Sequence, residues 1–275
     1  MIYDGRMKNR KSPPPGKQGR PGPQHKKPVQ KDRETRIAAN LWGIHAVRAA
    51  WLNPARKVRG LYITEQALKG FEDILDERKT PPNMIEKRDL DRLLPPGAVH
   101  QGIALHVEPL AEVFVQDLII RTKNKENAVL LMLDQVTDPH NVGAILRSAC
   151  AFGADGVIMQ RRHSPELTGV LAKTATGSIE HIPVAYEINL SDTLDILKDN
   201  GFYAIGLDER GPQAIGAIKK GGKTVLVLGA EGSGMRPKVR EHCDALVRLP
   251  TSEPIASLNV SNAAAVTLYA FTANS

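Results

Sequence analysis

From residue 128 onward, short apolar runs alternate with segments of helical periodicity. Ala128 to Leu133 and Thr224 to Leu228 are continuous apolar stretches of strand length. Strands covered on both faces read this way, as in a parallel sheet packed between helices. Gly156 to Met159, Ile182 to Tyr186, Tyr203 to Leu207 and Ala245 to Leu249 bring the expected strands to about six. Helices are predicted at about 141–153, 165–175, 191–199, 237–243 and 259–273. The last carries Val260, Ala264, Leu268 and Phe271 on one face, which is core spacing. The alternation predicts an α/β domain over 128–275.

Residues 40–112 read as a separate small α/β unit. Gly43 to Leu52 has helical spacing, with Ile44, Val47 and Trp51 on one face. Arg59 to Thr64 is predicted as a strand, Glu65 to Glu77 as a helix and Ile103 to Val107 as a strand. Pro81-Pro82 and Pro95-Pro96-Gly97 mark loops. A helical segment at about Val113 to Thr122 and the polar run Lys123 to Asn127 make 113–127 a connector.

Composition narrows the class. With 41% hydrophobic and 24% charged residues, the 275-residue chain can bury a core. It has no apolar run of membrane-spanning length and no secretory h-region. The two cysteines, Cys150 and Cys243, are expected as buried, reduced thiols of a cytoplasmic protein. No Cys/His spacing suits zinc, so no metal is expected.

The net charge of +7 is unevenly spread. Residues 1–36 hold 11 basic and three acidic residues, a net of +8, which leaves 26 basic and 27 acidic residues, a net of −1, in the rest. The same 36 residues are rich in proline and poor in apolar side chains, so they are expected to be disordered. Their composition suits an electrostatic tether to RNA phosphates, or a solubilising tail.

In an open α/β sheet the ligand site lies beyond the carboxyl ends of the strands. Three such ends carry unusual sequence. The first is Asp134-Gln135-Val136-Thr137-Asp138-Pro139-His140-Asn141-Val142-Gly143, leading into the helix that bears Arg147. The second is the glycine-rich Gly229-Ala230-Glu231-Gly232-Ser233-Gly234-Met235. The third runs from Pro250 to Ser257-Leu258-Asn259. Asn141 is either a helix N-cap or a site residue. Gly143 and Arg147 share a helix face, and glycine at 143 would leave the surface open to substrate. Arg147 lies at the margin of that helix's core stripe, as a solvated residue or a substrate contact. Ser257 and Asn259 suit either capping or the site. The glycine loop is spaced G-x-x-G-x-G, which is not the dinucleotide fingerprint. Gly216 to Thr224 imitates a phosphate loop, but its register is off by one and it leads into a strand.

Together, Asn141-x-Gly143-x-x-x-Arg147, Leu228-Gly229-x-Glu231-Gly232-x-Gly234-Met235 and Ser257-Leu258-Asn259-Val260-Ser261 resemble the signature of the SpoU family of RNA ribose methyltransferases, within the SPOUT superfamily. Gly43-Ile44-His45-Ala46-Val47 and His100-Gln101-Gly102 resemble the family's small RNA-binding domain, so the likeness covers about 40–275. It is greatest to the branch that methylates a guanosine ribose in large-subunit ribosomal RNA. The loop from Thr251 to Ala256 departs from the family pattern.

The resemblance implies a parallel sheet with a deep trefoil knot, S-adenosylmethionine as cofactor, an RNA substrate and a homodimer. It places Gly229, Leu249 and Leu258 at cofactor positions, with Leu228 and Gly232 beside them. It makes Arg147 the residue that activates the ribose hydroxyl, with Asn141, Glu231, Ser257 and Asn259 orienting it and the nucleotide. A guanidinium rarely gives up its proton, so Arg147 is expected to hold phosphate and stabilise alkoxide charge. His140 matches no catalytic position. The alternatives are the same chemistry on transfer RNA, a non-catalytic RNA-binding or ribosome-assembly factor, and another nucleotide-binding α/β enzyme.

Overall fold

A computed structural model describes residues 39–254 and 257–272. The expected disordered tail lies outside the described residues. The small sheet is built from β1 (Leu41–Trp42), β2 (Val58–Ile63), β3 (Pro82–Met84) and β4 (Ile103–Val107), in the order β1-β4-β2-β3. β4 runs antiparallel to β1 and β2, and β3 runs parallel to β2. Helices α1 (Ile44–Leu52), α2 (Glu65–Leu68) and α3 (Lys87–Leu93) accompany it, and α4 (Val115–Thr122) follows.

The remaining elements mostly alternate strand with helix, apart from three successive strands between Phe202 and Gly229. They are β5 (Ala128–Asp134), α5 (Pro139–Ala151), β6 (Gly156–Gln160), α6 (Gly169–Thr174), β7 (Val184–Glu187), α7 (Leu190–Asp199) and β8 (Phe202–Leu207). β9 (Gln213–Ala214), β10 (Lys223–Gly229), α8 (Pro237–Glu241), β11 (Ala245–Arg248) and α9 (Val260–Thr272) complete the chain. The seven strands form one parallel sheet in the order β7-β6-β5-β10-β8-β11-β9. All seven residues of β5 are buried, six of them the apolar run Ala128 to Leu133 and the last Asp134.

Several local expectations change. The predicted 65–77 helix is broken into α2 and a 3-10 turn at Glu72–Glu77. Gly70 weakens a helix there, and Phe71 turns into the core. Pro82, expected in a loop, opens the edge strand β3, a position where its missing N–H costs nothing. Ile44 is exposed, and α1 packs through Ala46, Val47, Ala50 and Trp51. The N-cap of α5 is Asp138, whose side chain accepts from the His140 N–H, with Pro139 in the first turn. Asn141 therefore lies inside the helix and is not its cap. Gly143 is also not an opening for substrate. A Cβ there would lie 2.7 Å from the Leu171 carbonyl oxygen and 2.8 Å from Thr174 Cβ, so glycine lets α6 cross α5.

One apolar cluster runs through both sheets, from Leu41, Trp51 and Leu61 to Leu131, Ile145 and Leu226. A buried ion pair fastens them. The Arg56 and Glu180 side chains are 2% and 0% exposed and meet at 2.5 Å. Asn53 donates to the other Glu180 oxygen at 2.7 Å. Arg56 also donates to the Glu108 carbonyl, and its own carbonyl accepts from Arg78.

Candidate active site

β10 lies beside β5 in register, so Gly229 pairs with Asp134 and the two strand ends open at one edge. Beyond β10 the chain turns tightly. Ala230 and Gly234 exchange backbone hydrogen bonds of 3.1 and 2.9 Å, which leaves Glu231 near the tip. Gly232 and Gly234 have φ of 79° and 68°, in the left-handed region that glycine adopts freely. Gly229 is required for a different reason. A Cβ on it would lie 2.1 Å from the Gly234 carbonyl carbon and 2.2 Å from the Met235 nitrogen, where the loop folds back.

The loop is anchored from below. Asp134, fully buried at the end of β5, accepts from the Arg236 backbone N–H at 2.7 Å and from Arg236 Nε at 2.8 Å. Sequence reasoning did not single out this pair. The available signal was an acid closing an otherwise apolar strand, because a buried carboxylate needs a partner.

Three strand ends meet around Glu231. Asn141 Nδ2 donates to Glu231 Oε1 at 3.2 Å, and Asn259 Nδ2 donates to the same oxygen. Asn259 also donates to Asn141 Oδ1 at 3.0 Å, and the Val260 backbone N–H reaches Glu231 Oε1 at 3.3 Å. Asn259 does two jobs, since its Oδ1 accepts from the Ser261 N–H at 2.9 Å and so caps α9.

Beside this cluster lies a cavity of about 590 Å³. Leu228, Gly229, Gly232, Leu249 and Leu258 all line it, together with Glu231, Ser257 and Asn259. Asp208, Glu209, Arg210 and Arg240 add a polar wall that sequence reasoning missed, with Arg240 Nε 3.1 Å from Asp208. They sit on the loop after β8 and on α8, where no motif pointed to them. Arg147 does not line the cavity. It is exposed on α5, with no hydrogen bond or ion pair among the described residues.

The thiols are not nucleophiles in waiting. Burial pushes Cys243 up to about 12 and raises Cys150 as well. Both are half-buried and free, whereas the sequence suggested full burial. Among the described residues, no group of three His, Cys, Asp or Glu could hold a metal ion, and no helix is long and apolar enough to cross a membrane.

A parallel sheet with a ligand-sized cavity and a fixed carboxylate at its carboxyl edge defines an α/β enzyme domain. Residues 128–269 match the SpoU rRNA methylase family, and residues 41–113 match the family described as RNA 2′-O ribose methyltransferase substrate binding. The chain belongs to the SpoU rRNA methylase family. A 23S rRNA (guanosine-2′-O-)-methyltransferase RlmB of Pseudomonas putida is 37% identical over 236 residues, spanning 83% of this chain and 94% of that one. Its counterpart of the same name in Haemophilus influenzae is 36% identical over 242 residues, with 85% and 96% covered. Among solved structures, the SpoU methyltransferase AviRb from Streptomyces viridochromogenes in complex with the cofactor AdoMet aligns with a TM-score of 0.72. It is 24% identical, with 90% of this chain and 94% of that one covered, which speaks for the fold.

Proposed function

We propose that this chain transfers the methyl group of S-adenosylmethionine to a ribose 2′-hydroxyl of RNA, with a guanosine of large-subunit ribosomal RNA as target. The observation that carries this reading is the convergence of Asn141, Glu231 and Asn259 at the rim of the cavity. The identity to the two guanosine methyltransferases supports the choice of target. The cavity suits the cofactor in size, within the range of roughly 300–1,000 Å³ usual for such ligands. Leu228, Leu249 and Leu258 offer apolar walls for a purine ring, and the backbone around Gly229 and Gly232 offers hydrogen-bonding groups.

When bound, S-adenosylmethionine supplies a methyl group activated by its sulfonium. The chain's own residues supply alignment and electrostatics. Holding reactants in line contributes on the order of 7 kcal/mol in well-oriented reactions. Glu231, fixed by two amides and a backbone N–H, orients the nucleotide together with Asn141, Ser257 and Asn259. Arg147 holds the target phosphate and stabilises charge developing on the ribose oxygen. Its freedom from acidic partners among the described residues leaves the guanidinium available for RNA.

Residues 40–112 grip the RNA, 113–127 connect, 128–275 carry the chemistry, and 1–36 tether phosphates in the cytoplasm. The enzyme works as a homodimer through a knotted C-terminal region. Support for the dimer comes from α9, which exposes Val266 (49%) and Tyr269 (61%), the latter in edge contact with Phe152.

The test is methyl transfer from radiolabelled S-adenosylmethionine to ribosomal and transfer RNA from cells lacking the protein, with nuclease mapping of the label. A 2′-O-methylguanosine in large-subunit RNA is expected. Label only in transfer RNA overturns the target, and no label in either overturns the activity. Arg147→Ala should cut turnover by roughly 1,000-fold while sparing cofactor binding, as loss of a transition-state charge contact does. Arg147→Lys, which keeps charge but loses the planar fork, should recover only part.

A further inference from the structure

Two motifs remain without a role in this chemistry, Gly43-Ile44-His45 and His100-Gln101-Gly102. The fold brings both to the seam between the two sheets, against α6. Gly43 has a φ of 92°, and a Cβ on it would lie 3.2 Å from Lys173 Cγ and 3.3 Å from Gln101 Oε1. Only glycine lets the stem of Lys173 and the Gln101 amide settle together over this point. Gln101 itself has a φ of 58°, which is costly for a residue with a side chain. It is held there by its neighbours. The buried His100 reaches Asp91 at 2.9 Å through Nε2 and accepts from the Gly102 N–H at 3.0 Å through Nδ1.

The strained turn points the amide in a defined way. Gln101 Oε1 accepts the Ile44 N–H at 3.1 Å, and among the described residues Nε2 has no acceptor. Lys173 has no acidic partner among the described residues. The Lys173 stem, out to its Cε, and the Gln101 amide oxygen thus lie within 3.6 Å of one point over Gly43, on side chains that bear one charged and one neutral donor.

Their position relates them to the site. The backbone of α6 on either side of Lys173, at Leu171 and Ala175, lies over Gly143 of α5. Arg147 is one turn further along that face of α5. The start of α6 is tied to the small sheet, because the Gly169 N–H donates to the Asn40 carbonyl at 2.8 Å. The path from Arg147 over α6 to Gln101 therefore lies on one packed body, which the Arg56–Glu180 pair reinforces.

We propose that Lys173 and Gln101 form a phosphate-binding step at the seam, which holds the RNA backbone flanking the target nucleotide and so positions the ribose at the cavity. This rests on the RNA methyltransferase reading above and names its substrate contacts. Phosphate is the group that takes a charged and a neutral donor together without needing a particular base.

The test is the double variant Lys173→Gln with Gln101→Ala in the full chain, compared with the unaltered protein on a large-subunit RNA fragment. RNA affinity is read by fluorescence anisotropy across a salt series, separately from turnover. The variant is expected to raise KM and Kd for RNA about tenfold with kcat within about twofold. The slope of log affinity against log salt should become shallower by about 0.7. Binding of S-adenosylhomocysteine should stay unchanged, and the thermal midpoint should fall by no more than about 4 °C, from the lost Gln101–Ile44 hydrogen bond. A folded variant with unaltered Kd and salt slope overturns the proposal. If the unaltered protein binds RNA but transfers no methyl group, the activity fails instead, while the Kd comparison still decides the role of Lys173 and Gln101.

Discussion

Glu180 and Glu231 are both carboxylates held by residues far away in the chain, in opposite surroundings. Glu180 is fully buried, and its charge is matched by Arg56 with Asn53 completing its hydrogen bonds. Glu231 stands exposed on a loop, held through one oxygen by Asn141, Asn259 and the Val260 N–H, all neutral donors. A buried carboxylate with a matched cation is a fastening, because its charge is spent on its partner. A carboxylate fixed by neutral groups through one oxygen keeps its second oxygen for whatever enters the cavity. The difference separates the residue that joins the two sheets from the one that lines the cavity.

The comparison breaks most visibly at the seam. Glu180→Ala leaves Arg56 buried without a counter-charge, so unfolding free energy should fall by about 3–5 kcal/mol in denaturant titration. Arg56→Met combined with Glu180→Leu should restore most of that loss, since apolar packing can replace a buried pair. A single-variant loss below about 1 kcal/mol would show that the pair is not a fastening. Glu231→Ala should do the reverse. Single-turnover transfer should slow about 100-fold, or about 2.7 kcal/mol, while stability falls by about 1 kcal/mol from the lost hydrogen bonds. A stability loss as large as that of Glu180→Ala would erase the distinction. Gly229→Ala sharpens the picture at the smallest scale. Its Cβ must displace Gly234 and Met235, so calorimetry should show S-adenosylhomocysteine binding about tenfold weaker, or about 1.4 kcal/mol, with the fold intact.

Six of the seven strands of the large sheet were legible, most clearly β5 and β10, whose burial is written as nearly uninterrupted apolar runs. The short strands β1, β3 and β9, of two or three residues, carry too little pattern to be seen. Asn141 and Asn259 show where local reading divides. Both looked like caps, yet only Asn259 caps a helix, because Asp138 and Pro139 had already started α5. Gly143 looked like an opening and is a crossing point, since the sequence around it does not say which helix lies above.

What the sequence by itself determined is local and periodic. It comprises the α/β alternation, the three unusual strand ends and the glycines that permit a tight loop. Only the tertiary structure decided which of these ends meet. Placing β10 beside β5 pairs Gly229 with Asp134, lets Asp134 hold Arg236, and brings Asn141 within 3.0 Å of Asn259, 118 residues away. Strand order depends on how whole faces pack, and no window of neighbouring residues carries that information. The same holds for Arg56 and Glu180, which are 124 residues apart and become partners only when two sheets share one core.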